Sequence, residues 1–242
     1  MLTNSAVAIA ASAASAAVWT APSAFAYAPS PIHRVIGAHR RLRSVSSAAL
    51  TFDDGPQPEA TDAILAALAE LHITATFFVV GEQVVRAPNL VREIVAEGHE
   101  LGCHGDVHRN HLLRSPVGLG EDLRRGRARL EDVVGSTIDL YRPPQGSLTW
   151  PSLRSVRAAG MALVLWSAWA RDWERSSTAS RVERLATRRL RGGDVVLLHD
   201  ADTYARRDGT WRDTVAALPG IARVADQRGL TLGSIGGRAN LA

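Results

Sequence analysis

From about residue 46 onward, short apolar runs alternate with longer stretches in which apolar and polar positions repeat at helical spacing. The short runs have the length of buried strands, and the longer stretches have the period of amphipathic helices. Strands that alternate with helices in this way are typical of βα units and a parallel sheet. An α/β barrel and a doubly wound sheet would both fit this pattern.

The pattern predicts about seven strands and about six helices. We expect strands at residues 47–52, 75–80, 100–104, 138–142, 161–166, 194–199 and 230–232. We expect helices at residues 59–71, 90–96, 121–134, 151–159, 179–190 and 214–228. Proline lacks the backbone N–H that a helix interior uses, so we expect Pro219 to interrupt the last helix.

The first 33 residues contain no charged side chain of the Asp, Glu, Lys or Arg type. They end near Ala24-Phe25-Ala26, a pattern that signal peptidase accepts, although Met1–Ser5 lacks the usual basic residue. The run is rich in alanine and only weakly hydrophobic, so we expect no transmembrane helix. Two alternatives stay open, a signal or anchor segment and a disordered or loosely packed N-terminal extension. Secretion or association with the cell envelope is favoured over a cytoplasmic location.

The basic residues narrow the function classes. All 28 are arginines, against 24 acidic residues, and the four at positions 34, 40, 41 and 43 account for the whole net charge of +4. No lysine-rich tract or basic stacking motif is present, so we expect no nucleic-acid partner. One cysteine, Cys103, excludes an intrachain disulfide and a cysteine-cluster zinc site.

Side chains capable of chemistry follow the ends of several predicted strands. These residues are Asp53, Asp54, His104, Arg142, Asp172, His199 and Asp200, with His108 four residues after His104. In an α/β barrel the active site forms at the carboxyl ends of the strands. We therefore expect these side chains to converge on one site.

The same residues suggest metal-assisted hydrolysis. One carboxylate and two imidazoles match the ligand set of hydrolytic zinc sites, in which other positions are left for water and substrate. The second aspartate could then be a general base, and His199 could protonate a leaving group. Each feature also has a structural explanation. Asp53-Asp54 before Gly55-Pro56 could be a turn signal, and the histidines could be loop or core residues.

Three tryptophans, Trp166, Trp169 and Trp173, lie close together in the sequence. Packing in the core is the simplest explanation for each of them, but aromatic rings at the mouth of a barrel also suit sugar binding. The remaining histidines, His111 included, are expected to be structural or surface residues.

At these positions the sequence resembles the polysaccharide deacetylases of carbohydrate esterase family 4, which share the NodB homology domain. The resemblance spans roughly residues 46–235. The motifs that carry it are Thr51-Phe52-Asp53-Asp54-Gly55-Pro56, His104-x-x-x-His108, Arg142-Pro143-Pro144-Gln145-Gly146, Asp172-Trp173 and Leu197-Leu198-His199-Asp200. It implies a distorted (β/α) barrel with fewer than eight strands. We take residues 46–242 as the catalytic domain and residues 1–45 as an N-terminal segment and basic linker, with 1–26 as the candidate signal peptide.

The resemblance also implies a role for each matching residue. Asp54, His104 and His108 would bind a divalent metal ion, Zn²⁺ or a similar ion such as Co²⁺. Asp53 would be the general base, oriented by Arg142, and His199 the general acid, paired with Asp172. Trp173 and Leu197 would surround the acetyl methyl group, and the backbone N–H of Gln145 would stabilise the oxyanion.

The resemblance implies an enzyme that removes N-acetyl groups from a glycan such as peptidoglycan, a chitin-like oligomer or another envelope polysaccharide. The acetylated glycan is the partner we expect, with no obligate protein partner. Gly105, Gln145 and Trp169 depart from the usual residues of the family, but none of them replaces a proposed ligand, base or acid. The alternatives are a related hydrolase of non-sugar amides and a non-catalytic glycan-binding domain.

Overall fold

A single curled sheet of parallel strands forms an incomplete barrel with helices on its outer side. The computed structural model describes residues 17–28 and 32–242. The strands are β1 Ala38–His39, β2 Ser47–Asp53, β3 Thr76–Val79, β4 Glu100–Cys103, β5 Leu140–Tyr141, β6 Ala162–Val164, β7 Ala168–Trp169, β8 Val195–His199 and β9 Thr231–Gly233. The helices are α1 (residues 17–27), α2 Ile32–Val35, α3 Ala60–Glu70, α4 Gly81–Arg86, α5 Pro88–Ala96, α6 Pro116–Val134, α7 Trp150–Ala158, α8 Ala179–Thr187 and α9 Thr210–Gln227.

The strands lie in the order β1-β6-β5-β4-β3-β2-β8-β7, with β9 paired to β2. Every strand pair is parallel. The predicted barrel is confirmed, but the described residues hold eight strands along this path and β9 beside it, rather than about seven. The two additional strands, β1 and β7, have two residues each, which is too short to produce a periodic pattern. They form the two open edges of the sheet.

The central strand β2 is buried on both of its faces, as expected for a parallel sheet covered by helices. Phe52 stacks on Phe77 of β3 with ring centroids 5.1 Å apart. Ile64 and Leu68 of α3 are fully buried. This packing fixes the end of β2, which carries Asp53.

The prediction that Pro219 interrupts the last helix is wrong. Helix α9 runs without a break through Pro219. Leu218 and Ile221 are buried on either side of the proline, and Gly220 lies so close to Glu183 of α8 that a Cβ atom there would overlap its carboxylate. We attribute the continuity of the helix to this packing, which offsets the hydrogen bond that proline cannot make.

Helix α1 packs against the barrel. The Ser23 hydroxyl donates to the Leu148 carbonyl (2.9 Å) and accepts from the Leu148 N–H (2.7 Å). Ala26 is fully buried in the hydrophobic core, and the indole N–H of Trp150 donates to the carbonyl of Val18. The cleavage point suggested by the sequence therefore falls at the end of a packed helix. Residues 1–16 of the candidate signal peptide lie outside the described residues, and the boundary at residue 45 remains a prediction.

Arginines of the basic stretch also contact the barrel. Arg40 donates to the Trp166 carbonyl, Arg41 forms an ion pair with Asp194 (2.7 Å), and Arg43 donates to the Leu241 carbonyl. These contacts fix the chain between β1 and β2. Among the helices in the described ranges, none has the length and apolar character needed to cross a membrane.

Candidate active site

A cavity of about 370 Å³ opens at the carboxyl ends of the strands. It brings together eight of the ten site residues predicted from the sequence, namely Asp53, Asp54, His104, His108, Gln145, Trp173, Leu197 and His199. Arg142 and Asp172 lie behind this surface as buried side chains that contact Asp53 and His199. All ten site residues predicted from the sequence thus belong to one cluster, although their chemical roles remain predictions.

Asp54, His104 and His108 form the part of the cluster that could hold a metal ion. Their candidate ligand atoms all lie within 4.8 Å of one another. Asp54 adopts φ 83°, a left-handed conformation uncommon for a residue other than glycine. The chain turns there, and the side chains of the adjacent Asp53 and Asp54 both reach the cavity.

The donor atoms of this cluster fit a divalent cation. The His104 Nδ1 lies 2.8 Å from the Arg142 carbonyl and donates to it, which leaves its Nε2 lone pair facing Asp54. The Asp54 Oδ1 is buried without a hydrogen bond, 3.4 Å from the Nε2 of His104 and 3.2 Å from that of His108. Burial lowers the pKa of His108, which favours the neutral form that binds metal. Burial raises the pKa of Asp54, but the histidines near it, including the charged His199, outweigh this and lower it to about 2, so the carboxylate is ionised and can act as a ligand.

The loop that carries the two histidines is held by α6. The Asp122 carboxylate accepts from the backbone N–H groups of Asp106 and Val107, both at 3.2 Å. Gly126 of α6 lies so close to Gly105 that a Cβ atom would come within 2.6 Å of its backbone. Gly105 itself adopts φ 87°. Gly105, which departs from the family pattern, therefore lies in a loop that is held in place by buried contacts with Asp122 and α6.

Asp53 is held by a buried guanidinium. Arg142 Nη1 donates to Asp53 Oδ1 at 2.7 Å and to the Thr51 hydroxyl at 2.8 Å. The guanidinium also lies 4.0 Å from the centre of the Phe78 ring. Because Arg142 is fully buried, its charge needs the Asp53 carboxylate as its partner. The pair keeps one carboxylate oxygen engaged, while the other lies 3.8 Å from the Nε2 of His104.

His199, which lies beside Asp53 on the neighbouring strand β8, is paired with a buried carboxylate. Asp172 accepts from His199 Nδ1 (2.8 Å), from the His199 backbone N–H (2.8 Å) and from the Thr214 hydroxyl (2.9 Å). Burial lowers the pKa of His199, but Asp172 outweighs this effect and raises it to about 10. His199 is therefore a protonated imidazolium at neutral pH in this environment.

Apolar and backbone groups complete the wall. The Trp173 ring contacts the His199 ring edge to face, with ring centroids 5.1 Å apart, and Leu197 also lines the cavity. Gln145 adopts φ 58°, and its side chain accepts from Asn110 (2.7 Å). That hydrogen bond directs the Gln145 side chain toward Asn110, on the loop that follows the two histidines.

Sequence reasoning missed Tyr204 and Arg206, which also line the cavity. The Tyr204 ring stacks on His108 with centroids 4.1 Å apart, and its hydroxyl donates to Glu82 (2.6 Å). Both residues lie in the loop between β8 and α9, where no strand end or motif marks them. Their proximity to the site depends on the path of that loop.

The fold and the cavity define a parallel-barrel hydrolase site with acid–base groups beside a candidate metal centre. A family model described as polysaccharide deacetylase matches residues 42–164. The chain belongs to the polysaccharide deacetylase family, a family of hydrolases, as the resemblance implied.

Individual relatives agree with this assignment. The chain is 36% identical over 176 residues to a peptidoglycan-N-acetylglucosamine deacetylase of Bacillus cereus, covering 72% of this chain and 78% of the relative. It is 32% identical over 208 residues to a chitooligosaccharide deacetylase of Bradyrhizobium sp., covering 84% and 94%. A family 4 carbohydrate esterase from Streptomyces lividans, solved with acetate, superimposes with a TM-score of 0.72 at 28% identity, covering 82% and 97%.

Proposed function

We propose that this protein is a metal-dependent N-deacetylase of an N-acetylated glycan. One observation carries the proposal. A carboxylate and two imidazoles with converging donor atoms lie in the same cavity as an arginine-held aspartate and an aspartate-paired histidine. Amide hydrolysis needs an activated water, a stabilised oxyanion and a protonated leaving nitrogen. The cavity offers a group for each.

Asp54, His104 and His108 would hold the metal ion, for which we propose Zn²⁺ or Co²⁺ because a mixed N/O donor set suits both. When bound there, such a cation supplies Lewis acidity, which polarises a carbonyl oxygen and lowers the pKa of water. The buried Asp54 oxygen without a hydrogen-bond partner supports this assignment.

Asp53 is the proposed general base. It lies beside the metal cluster, and its hydrogen bond from Arg142 leaves the second carboxylate oxygen available to take a proton from water. The guanidinium fixes the orientation of the carboxylate through a charge-assisted hydrogen bond. Arg142 is therefore a positioning residue, since Asp53 separates it from the cavity.

His199 is the proposed general acid. Its Nδ1 is held by Asp172, and its ring lines the cavity, so the other ring nitrogen is the one available to protonate the departing amine. The raised pKa of His199 keeps that proton in place until the leaving group takes it. Asp172 would act through His199, as a positioning and charge-stabilising partner.

The wall formed by Trp173 and Leu197 suits a small apolar group, and we assign it to the acetyl methyl. The N–H of Gln145, in the loop that closes this side, would stabilise the oxyanion; such a donor is worth about 3 kcal/mol. The names of the two relatives favour peptidoglycan-like or chitin-like substrates over non-sugar amides.

Acetate release tests the proposal. Purified protein is incubated with chitohexaose, with peptidoglycan fragments and with a non-sugar N-acetyl amide, before and after chelation. We expect release from a glycan, loss of release on chelation and recovery with Zn²⁺ or Co²⁺. Release that is unaffected by complete metal removal would contradict the metal mechanism. Release from the non-sugar amide alone would contradict the glycan assignment.

A further inference from the structure

A second cleft, of about 440 Å³, lies at the open edge of the sheet. It is bounded by β7, by the start of β8, by the end of α8 and by the chain that follows β1. Four arginines line it, Arg41, Arg188, Arg189 and Arg191, together with Trp169 and Asp194. No residue that we assign to catalysis lies in it.

The single acid of the cleft is already neutralised. Asp194 is buried, forms an ion pair with Arg41 (2.7 Å), and accepts from the Ser167 hydroxyl and the backbone N–H of Arg191. Arg188, Arg189 and Arg191 are exposed, and within the described ranges their side chains form no ion pair or hydrogen bond. The cleft therefore carries three uncompensated positive charges.

Arginines that follow a helix often donate hydrogen bonds to its C-terminal carbonyl groups. In α8 another residue has this role. Arg228 of the segment after α9 donates to the carbonyls of Thr187 and Leu190, both at 2.7 Å. The three exposed arginines are thus left without that structural role.

Trp169 lies between the cleft and the catalytic cavity, because it lines both. Its ring lies 6.1 Å from that of Trp166 and 5.5 Å from that of Trp173, both of which line the catalytic cavity. The Arg171 guanidinium lies 4.7 Å from the centre of the Trp169 ring. A chain of sugar rings that leaves the catalytic cavity across Trp169 would reach the arginines.

We propose that this cleft binds the anionic groups, carboxylate or phosphate, of a glycan whose N-acetyl group occupies the catalytic cavity. The inference rests on the proposed function and narrows its substrate to an acidic polysaccharide. Guanidinium groups suit such ligands, since they bind carboxylate and phosphate oxygens through paired hydrogen bonds. Trp169, one of the departures from the family pattern, would be the surface over which the glycan passes.

The test compares two probes of similar length that both carry N-acetyl groups, the acidic hyaluronan hexasaccharide and the neutral chitohexaose. Binding is followed by calorimetry at low and at high ionic strength, and acetate release from chitohexaose is measured in parallel. The cleft variant combines Arg188→Gln, Arg189→Gln and Arg191→Gln. A matched control combines Arg92→Gln, Arg124→Gln and Arg154→Gln, which removes the same charge from exposed sites elsewhere.

We expect the unmodified protein to bind the acidic probe more tightly than the neutral one, with a preference that weakens at high salt. In the cleft variant, affinity for the acidic probe falls about tenfold while acetate release from chitohexaose changes less than about twofold. The proposal would be overturned if the control variant lost as much affinity for the acidic probe as the cleft variant. It would also be overturned if the unmodified protein showed no preference for the acidic probe, or if it bound free glucuronate as tightly as the hexasaccharide. Failure of the proposed function would instead appear as no acetate release by the unmodified protein.

Discussion

Replacement of Asp172 by asparagine isolates the charge that stabilises protonated His199. The two side chains are nearly identical in shape, and asparagine can still accept a hydrogen bond from His199 Nδ1 through its carbonyl oxygen. Asp172 is buried, 2.8 Å from that nitrogen, and also accepts from Thr214. The substitution removes one negative charge together with the acceptor of the His199 backbone N–H, whereas the hydrogen bond from Nδ1 that orients the ring can persist.

The expected size of the effect follows from the geometry. Two unit charges about 4 Å apart interact by about 4 kcal/mol at an effective dielectric constant of about 20, and about 1.4 kcal/mol corresponds to one pKa unit. Loss of the Asp172 charge should therefore lower the pKa of His199, which stands at about 10, by about 2 to 3 units. Because His199, the proposed general acid, must be protonated to act, the alkaline limb of the pH profile should move to lower pH by this amount.

The assay is acetate release from chitohexaose across the pH range, with kcat/KM fitted for the metal-loaded protein and for Asp172→Asn. Thr214→Val is the matched control, because it removes a hydrogen bond to Asp172 but no charge. We expect the alkaline limb to shift in Asp172→Asn and to stay in Thr214→Val. An alkaline limb at the same pH in all three proteins would refute the assignment of His199 as the general acid.

Three further predictions concern other parts of the molecule. Burial, followed by the charge of Arg114, lowers the pKa of His111 to about 3. Folding therefore favours the neutral ring, and the resulting stabilisation is complete above pH 6.5 and is lost as the pH falls toward 3. His111→Phe should for this reason reduce the decrease in Tm between neutral and acidic pH. Parallel curves of Tm against pH for the two proteins would contradict this. Tyr204→Leu removes the ring stacked on His108 and should weaken Zn²⁺ affinity about tenfold in a chelator competition. Tyr204→Phe keeps the ring and should change the affinity little. Equal Zn²⁺ affinities for the two variants would exclude a positioning role for the Tyr204 ring. Ser23→Ala removes both hydrogen bonds to Leu148 and should lower the free energy of unfolding by about 1 to 3 kcal/mol in urea titration. The exposed Ser176→Ala is the control and should leave the midpoint unchanged. An unchanged midpoint in Ser23→Ala would show that these two hydrogen bonds add no stability.

The convergence of the candidate site residues could be predicted because many of them follow the ends of strands. Asp53, His104 and His199 each end a segment whose apolar pattern is clear, and parallel strands carry their carboxyl ends to one edge of the sheet. Arg142 and Asp172 were also singled out by their places after predicted strands, and the motifs of the family supplied their expected roles. Their burial and their pairing with Asp53 and His199 became visible only in the structure.

Other features depend on contacts distant in sequence. The two-residue strands β1 and β7 contain no periodic signal, and they exist because neighbouring strands offer free edges. Tyr204 reaches His108 through a loop of irregular sequence. The continuity of α9 through Pro219 results from packing against α8, which local propensity does not reveal. The arginine cleft likewise combines residues from β7, α8 and the chain after β1.

The most direct test of the catalytic centre compares Asp53→Asn with Asp54→Asn for both Zn²⁺ binding and acetate release. Asp54 lies in the candidate metal cluster, and Asp53 lies against Arg142. We predict that Asp53→Asn keeps Zn²⁺ binding while acetate release falls about 10²- to 10⁴-fold, and that Asp54→Asn loses both. Near-normal release by Asp53→Asn, or undiminished Zn²⁺ affinity in Asp54→Asn, would contradict the assignment of base and ligand.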